Sequence, residues 1–257
     1  WDTADGPVPM ASQFRIAWRE FAATTGFRTF YPGIIPPGAK HIHAINSCWH
    51  SSSLELLAAV GAFMSTILAD YFVRSAGTGH IFNDLVRSLP FVDRDDAKGT
   101  IVRLFLRLNC LTGSYAPLWE EVTGEAWNPD TPIRNAFKRQ LAQIEIDVLV
   151  ALSLGVTADE LCMIYRTQFP VMRRYDGEHY FDAAGRLVPK EVLKERRKIN
   201  AKEERGVEDI EWKHPQSSRI YSFQSPFRRL CRESAVQQYF ILHSQEGRRD
   251  CNSRKAR

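Results

Sequence analysis

The sequence predicts an α+β protein in which a small mixed unit is followed by a helical unit and a basic C-terminal segment. Three observations support this prediction: strand-like and turn-rich patterning before residue 50, apolar residues at helical spacing after residue 54, and a change in charge near residue 186. We therefore expect an α+β domain over 1–92, a helical domain over 93–185 and a weakly ordered segment over 186–257.

Residues 13–50 have the pattern of strands separated by turns. The segment 27–31 is β-branched and aromatic, and Pro and Gly residues follow it through 32–38. Polar and apolar residues alternate over 41–46, which is typical of a strand with one wet face. We expect strands at both places.

Helical patterns follow. Ser52 and Glu55 form a capping-box pattern before a predicted helix that reaches residue 73, and a short helix over 81–89 should end at Pro90. Further apolar stripes predict a helix from residue 93 to about 112 and another over 132–154, capped by Thr131. A second capping box at 157–160 should begin a short helix, and residues 180–188 resemble a hairpin.

The composition is that of a folded protein, with 44% of the 257 residues hydrophobic and 25% charged. Five cysteines without a CxxC pair favour a reducing cytoplasm. The N-terminus lacks the features of a signal peptide and resembles a cut inside a longer polypeptide. Only 14 uncharged residues separate Glu55 from Asp70, fewer than the roughly 20 needed to cross a bilayer, so no membrane span is expected.

Charge is distributed unevenly along the chain. Residues 1–185 contain 16 Lys and Arg against 20 Asp and Glu, whereas residues 186–257 contain 18 against 10. A basic segment suits a polyanionic partner such as DNA. The same pattern also fits a solvated tail, and that alternative stays open.

No self-contained catalytic motif is found. His41, His43, Cys48 and His50 lie close in sequence, but their spacing does not close a zinc tetrahedron, so we expect solvated or DNA-facing histidines. The glycine-rich stretch 75–79 lacks the Lys-Ser/Thr pair of a phosphate-binding loop. We therefore assign no catalytic and no metal-binding residue.

The remaining candidates are cationic and polar side chains beside turns in the first unit. Arg and Asn can read base edges, and hydroxyl groups suit phosphate oxygens, so these residue types favour DNA contact. The alternative is that these side chains are ordinary solvated surface groups that contact no ligand. The candidate DNA-binding residues are Arg28, Thr29, Lys40, His41, His43, Asn46, Arg74, Ser75, Thr78 and His80.

Several segments resemble the C-terminal part of bacterial adenine-specific DNA methyltransferases from restriction–modification and phage-defence systems. Residues 27–38 (FRTFYPGIIPPG) resemble the family pattern R-T-x-I-x-A-I-I-P-P-G, and 63–75 (FMSTILADYFVRS), followed by Leu89-Pro90, resemble L-N-S-x-x-x-D-F-x-x-R and L-P of their target-recognition domains. Residues 106–112 and 142–161 are similar to the helical segment that follows. The resemblance covers most of residues 14–190.

This resemblance implies that the chain recognises double-stranded DNA. In the family, a separate Rossmann-like domain binds S-adenosylmethionine and transfers its methyl group to a flipped adenine, using a glycine-rich loop and an Asn-Pro-Pro-Tyr motif that do not occur here. The chain would then be a target-recognition-like unit with a helical brace, and its partners would be duplex DNA and the missing catalytic domain. Cys231 stands where relatives carry an acidic residue, and residues 244–257 match no pattern of the family.

Two other functions stay open from the sequence. A protein-interaction or scaffolding module would use the apolar helices 54–73 and 132–154 to dock a partner. A metal-dependent nuclease would use His41 and His43. Each alternative needs those residues on an accessible surface.

Overall fold

The computed structural model describes residues 2–3, 6–50, 53–92, 95–201 and 209–255, with side chains for 6–50, 53–92, 98–199 and 209–245. The fold is α+β, as predicted. The strands are β1 (Asp2–Thr3), β2 (Gly6–Pro7), β3 (Arg15–Arg19), β4 (Gly33–Ile35), β5 (Ile45–Cys48), β6 (Asp209–Lys213) and β7 (Ile220–Gln224). The helices are α1 (Leu54–Met64), α2 (Ile67–Ser75), α3 (Asn83–Arg87), α4 (Asp95–Asn109), α5 (Ala116–Thr123), α6 (Ala136–Ser153), α7 (Ala158–Gln168), α8 (Pro170–Glu178), α9 (Lys190–Ala201) and α10 (Arg232–Lys255).

A three-stranded antiparallel sheet lies at the N-terminal end, with β3 between β4 and β5. Its central strand is buried because both of its neighbours and α1 cover it. The strand predicted over 27–31 is absent, since that segment is irregular and its amides bond elsewhere. The strand predicted over 41–46 begins later, at Ile45.

The helix predicted over 54–73 is two helices, because α1 ends at Met64 with Ser65 as its C-cap and α2 begins with Thr66 as its N-cap. The Thr66 hydroxyl accepts a hydrogen bond from the Ala69 amide, and the free amide of Ile67 donates to the Asp147 carboxylate at 2.8 Å. The predicted cap, Ser52, lies outside the described residues, and Ser53 caps α1.

The later helices follow the predicted pattern with one shift. The helix predicted from residue 132 begins at Ala136, where Asn135 rather than Thr131 is the cap. The capping box of Thr157 and Glu160 is confirmed. The hairpin expected over 180–188 is present in short form: Phe181 and Leu187 form an antiparallel bridge, and the Val188 amide donates to the Tyr180 carbonyl at 2.8 Å.

One apolar core extends through the predicted boundary near residue 93, because α1 and α2 pack against α4 and α6. A Cβ on Gly61 would lie 2.7 Å from the Phe105 ring, so glycine lets α1 approach α4 closely. The two predicted units therefore share their buried surface.

The basic C-terminal segment, expected to be weakly ordered, contains α9, the β6–β7 hairpin and α10. Val192 of α9 packs with Ile210 and Phe223 of the hairpin in a small second core. The first half of α10 instead packs on α6 and adds Val236 and Phe240 to the main core. The sequence did not predict these elements, because their many charged residues, which lie on solvent-facing sides, obscure the regular spacing of the apolar residues.

Candidate nucleic-acid interface

Three of the ten candidate DNA-binding residues lie inside the protein. Arg28 and Thr29 are buried in the irregular segment before β4, and the guanidinium of Arg74 is nearly covered on α2. The Arg74 guanidinium lies 4.2 Å from the Phe169 ring centroid and donates to the Gln168 carbonyl at 2.5 Å. These three residues belong to a group that we call the buried charge network.

Two carboxylates lie at the centre of the buried charge network, Asp70 on α2 and Asp147 on α6. Asp70 accepts from the Thr29 amide at 3.1 and 3.2 Å and from Arg74 Nε at 3.2 Å. Asp147 lies 3.7 Å from Arg28 and 3.7 Å from Arg232, which begins α10. The network therefore joins the first loop, two core helices and the C-terminal helix.

The network continues to α8 through Asp176. Arg232 Nε donates to this carboxylate at 2.8 Å, and the Tyr165 hydroxyl donates to it at 2.9 Å. Burial, together with the Asp176 charge, raises the pKa of Tyr165 well above its usual range. The phenol therefore stays protonated and acts as a donor.

Burial and the arginines act in opposite directions on the two central carboxylates. Desolvation raises the pKa of Asp70 and of Asp147, whereas Arg28, Arg74 and Arg232 oppose that rise. Arginine remains charged at all ordinary pH values, so carboxylates must compensate it inside the core. Arg28, Thr29 and Arg74 are thus committed to internal contacts, and the expectation that they face DNA is not supported.

Six other candidates lie in two adjoining segments beside the sheet. The first runs from Lys40, next to the Ala39 carbonyl that accepts from Arg15, through the loop before β5 to Asn46 in β5; the second is the loop between α2 and α3, which Asn46 meets at the Ile81 carbonyl. We call this region the loop surface, and it comprises Arg19, Phe21, Lys40, His41, His43, Asn46, Thr78, His80 and Phe82.

Backbone pairing assembles the loop surface from segments distant in sequence. Arg19 pairs with Ile45 between β3 and β5, and the Glu20 amide donates to the Ala44 carbonyl at 2.9 Å. Phe21 and His80 then form an antiparallel bridge. The loop after α2 is therefore held against the end of the sheet.

Lys40, His43 and His80 are the exposed basic candidates of this surface. Within the described part of the chain, Lys40 and His43 form no ion pair, whereas His80 lies 2.9 Å from Glu20. His41 is half-buried and its Nε2 lies 2.9 Å from the Ser47 hydroxyl. Lys40 and His43 are therefore the predicted side chains best placed to meet a phosphate.

The other candidates mainly stabilise the loops. Asn46 donates from its amide nitrogen to the Ile81 carbonyl at 3.2 Å, and Thr78 donates to the His80 carbonyl at 2.8 Å. Ser75, at the end of α2 and outside the loop surface, donates to the Tyr71 carbonyl at 2.8 Å. These bonds leave the shape of the surface fixed before any ligand arrives.

Three residues of the loop surface were missed from the sequence. Phe21 is 49% exposed and Phe82 is 53% exposed, and both rings contact the imidazole of His80. The His80 and Phe82 rings are parallel within 6° at 5.3 Å, and His80 Nδ1 lies 2.9 Å from the Glu20 carboxylate, which accepts from it. Arg19 is the third, and its exposed guanidinium donates from Nε to the Phe21 carbonyl.

The histidines do not converge on a metal. His41 contacts Ser47, while His50 Nδ1 accepts from the Ser53 amide at 3.1 Å. Among the described residues, no group of three His, Cys, Asp or Glu side chains could hold an ion. The metal-dependent nuclease hypothesis therefore gains no support from this arrangement.

The helices required by the scaffolding hypothesis are largely internal. Most residues of α1, and the apolar face of α6, are buried in the main core.

In the part of the chain that the structure describes, no single helix is long and apolar enough to cross a membrane, although α1 and α2 meet that test together across a 64° bend.

Comparisons with protein-family models, with curated proteins and with solved structures found no match to this chain.

Proposed function

We propose that this chain is the DNA-contacting, target-recognition portion of an adenine-specific DNA methyltransferase, with methyl transfer performed by a separate S-adenosylmethionine-binding domain. The observation that carries the proposal is the loop surface, in which two segments distant in sequence, containing six of the ten candidate residues, meet through the Asn46–Ile81 hydrogen bond and the Phe21–His80 bridge. The motif resemblance supplies the enzyme class. The proposed setting is the cytoplasm of a bacterium.

Electrostatics favour a polyanionic partner at the loop surface. Lys40 and Arg19 bring two exposed positive charges. Glu20 directly follows Arg19, and its carboxylate is engaged by His80. Each cation that neutralises a phosphate releases condensed counterions, which gives salt-dependent affinity.

Sequence readout would come from the same loops. Asn46 keeps its carbonyl oxygen as an acceptor after its amide nitrogen bonds Ile81, and the exposed Phe21 and Phe82 rings can contact thymine methyl groups or unstacked base steps. The preformed internal hydrogen bonds reduce the ordering cost of binding. Phosphate contacts would position the duplex, and these groups would discriminate its bases.

The test is duplex binding, measured by fluorescence anisotropy over a salt series. We expect log affinity to fall linearly with log salt, and we expect Lys40→Ala and Arg19→Ala each to reduce the slope by about 1. Lys138→Ala is the matched control, because Lys138 is an exposed lysine on α6 outside the loop surface.

Two results would contradict the proposal. One is an affinity that does not depend on salt, or no binding at all by a folded chain. The other is an equal loss of slope in Lys138→Ala and Lys40→Ala, which would mean a diffuse charge effect rather than a defined surface.

A further inference from the structure

An apolar cleft opens beside the loop surface and is separate from it. Its volume is about 480 Å³, and it lies between the end of β5 and α3. This volume is within the range of roughly 300–1,000 Å³ that is usual for small-molecule sites. The size is therefore sufficient for a planar ring system with a substituent.

Aromatic and soft side chains form most of the cleft wall. Trp18, Trp49, Phe63 and Phe91 line it together with Met64. The indole nitrogen of Trp18 already donates to the Ile81 carbonyl at 2.9 Å, so the polar atom of this ring is satisfied internally. What the wall presents is thus polarisable surface, which suits a flat aromatic ligand.

Polar groups are confined to a few positions of the lining. They are Asn83 and Arg87, together with Ser47, whose hydroxyl is already paired with His41. The Arg87 side chain is 79% exposed, and its Asp84 partner lies 3.6 Å away on the solvent side of α3. An anionic or hydrogen-bonding substituent of a ring held in the cleft could reach these groups.

The thiol of Cys48 also lines the cleft, and burial raises its pKa to about 11. At neutral pH it is therefore an uncharged, weakly polar group. The neutral thiol adds to the apolar wall. Because the thiolate is the reactive form of cysteine, we assign Cys48 no nucleophilic role.

We propose that this cleft binds a purine-sized nitrogen heteroaromatic ring, which stacks among the aromatic wall residues while its polar edge and substituents meet Asn83 and Arg87. A nucleobase combines a flat apolar face with a polar edge, and base–aromatic stacking contributes about 1–3 kcal/mol per base. The same ring could come from a free nucleoside or nucleotide, or from an unstacked base of a bound nucleic acid. The site does not depend on the loop surface and so stands apart from the proposed duplex binding.

The first experiment titrates the whole chain with adenosine and with guanosine, following heat by calorimetry and intrinsic tryptophan fluorescence. We expect saturable binding with quenching of fluorescence. Phe91→Ala should weaken it at least about fivefold, which corresponds to the lower limit of base–aromatic stacking. Tyr71→Ala is the matched control, because Tyr71 is 36% exposed and Phe91 38% exposed, and Tyr71 lies outside the cleft and the loop surface.

A second variant guards against collapse of the cleft in Phe91→Ala. Val86 lines the cleft from α3 and is only partly buried, so Val86→Phe should narrow it and weaken nucleoside binding as well. Thermal unfolding of each variant shows whether the chain remains folded. A folded Val86→Phe with unchanged nucleoside affinity would overturn the proposal.

The second experiment distinguishes the two sources of the ring. It uses a duplex with 2-aminopurine opposite an abasic site, whose fluorescence reports the stacking of that base. A change that Phe91→Ala abolishes would assign an unstacked base of nucleic acid, whereas adenosine binding without this change would assign a free nucleoside or nucleotide. If neither probe binds, or if decanoate binds and both purines do not, the cleft does not recognise a heteroaromatic ring.

Discussion

The buried charge network and the loop surface use the same kinds of side chain for opposite purposes. Arg28 and Arg74 lie among carboxylates and carbonyl groups in the core, whereas Lys40 and Arg19 are exposed to solvent. All four are cations near turns or helix ends, so residue type alone does not separate them. The difference shows that a cationic side chain stabilises the interior when it contacts an acidic residue on an apolar helix face.

The largest expected effect concerns the carboxylate at the centre of the network. Asp147→Ala removes the partner shared by Arg28 and Arg232 and leaves two buried guanidinium groups without it. Because uncompensated buried charges are costly, we expect the free energy of unfolding to fall by about 3–5 kcal/mol. Urea unfolding followed by far-UV circular dichroism measures this loss.

The control for that substitution is an exposed pair. Arg103 and Glu125 lie 2.6 Å apart, and both side chains are about half exposed. Glu125→Ala should therefore cost no more than about 1 kcal/mol. Equal losses for the two variants would mean that the network does not differ from an ordinary surface ion pair.

The second prediction compares an arginine of the network with a lysine of the loop surface. Arg28→Ala should lower the urea midpoint, because it leaves Asp147 partly uncompensated and removes a donor to the Ser65 carbonyl. Lys40→Ala should leave the midpoint unchanged and affect only duplex affinity. An Arg28→Ala protein with the midpoint of the parent chain and lost DNA affinity would reverse the comparison.

The thiols give a third, smaller contrast between interior and surface. Burial raises the pKa of Cys48 to about 11, whereas Cys231 is exposed at the surface. Since the thiolate is the reactive form, alkylation of Cys48 by iodoacetamide should be slow at pH 8 and should accelerate about tenfold per pH unit toward that value. Peptide mass spectrometry at timed intervals reports both sites, and rapid labelling of Cys48 at pH 8 would contradict its burial.

The smallest effect concerns the contact of α10 with α7. The Arg166 guanidinium holds the pKa of the Glu233 carboxyl below its usual value. A depressed pKa in the folded state stabilises the fold above the unfolded pKa, and this stabilisation is lost as pH falls through the folded value. Stability of the parent chain and of Glu233→Gln should therefore differ slightly at pH 7, and this difference should shrink as pH falls below the usual glutamate pKa of about 4.3. A difference that grows on acidification would have the wrong sign for this contact.

Much of the fold could be predicted because apolar spacing and caps are local signals. The helix after Thr157 begins where its capping box predicts, and the helical stripes of α4 and α6 are present. Thr66 was missed as a boundary, since a cap inside a continuous apolar run has no distinguishing pattern. The segment 27–31 has strand composition, but its amides bond a distant carboxylate, which a local pattern does not reveal.

The candidate site was only partly predictable for a similar reason. Lys40 and His43 are polar residues beside turns and are exposed, as their sequence context indicates. Arg28 gave no comparable sign, although Asp70 and Asp147 on apolar helix faces indicate that buried cations must exist. Phe21 and Phe82 were passed over because exposed aromatic rings have no local pattern that separates them from core residues.

The position of Arg232 has a practical consequence for dissecting the protein. This first residue of α10 is the partner of Asp176 and lies near Asp147, so a fragment that stops before it would leave Asp176 without its cation and Asp147 with Arg28 alone. Expression boundaries drawn at residue 185 or 190 should then yield insoluble or protease-sensitive material. Removing residues from the C-terminal end of α10, as far back as the helical turn that follows Phe240, should be tolerated far better.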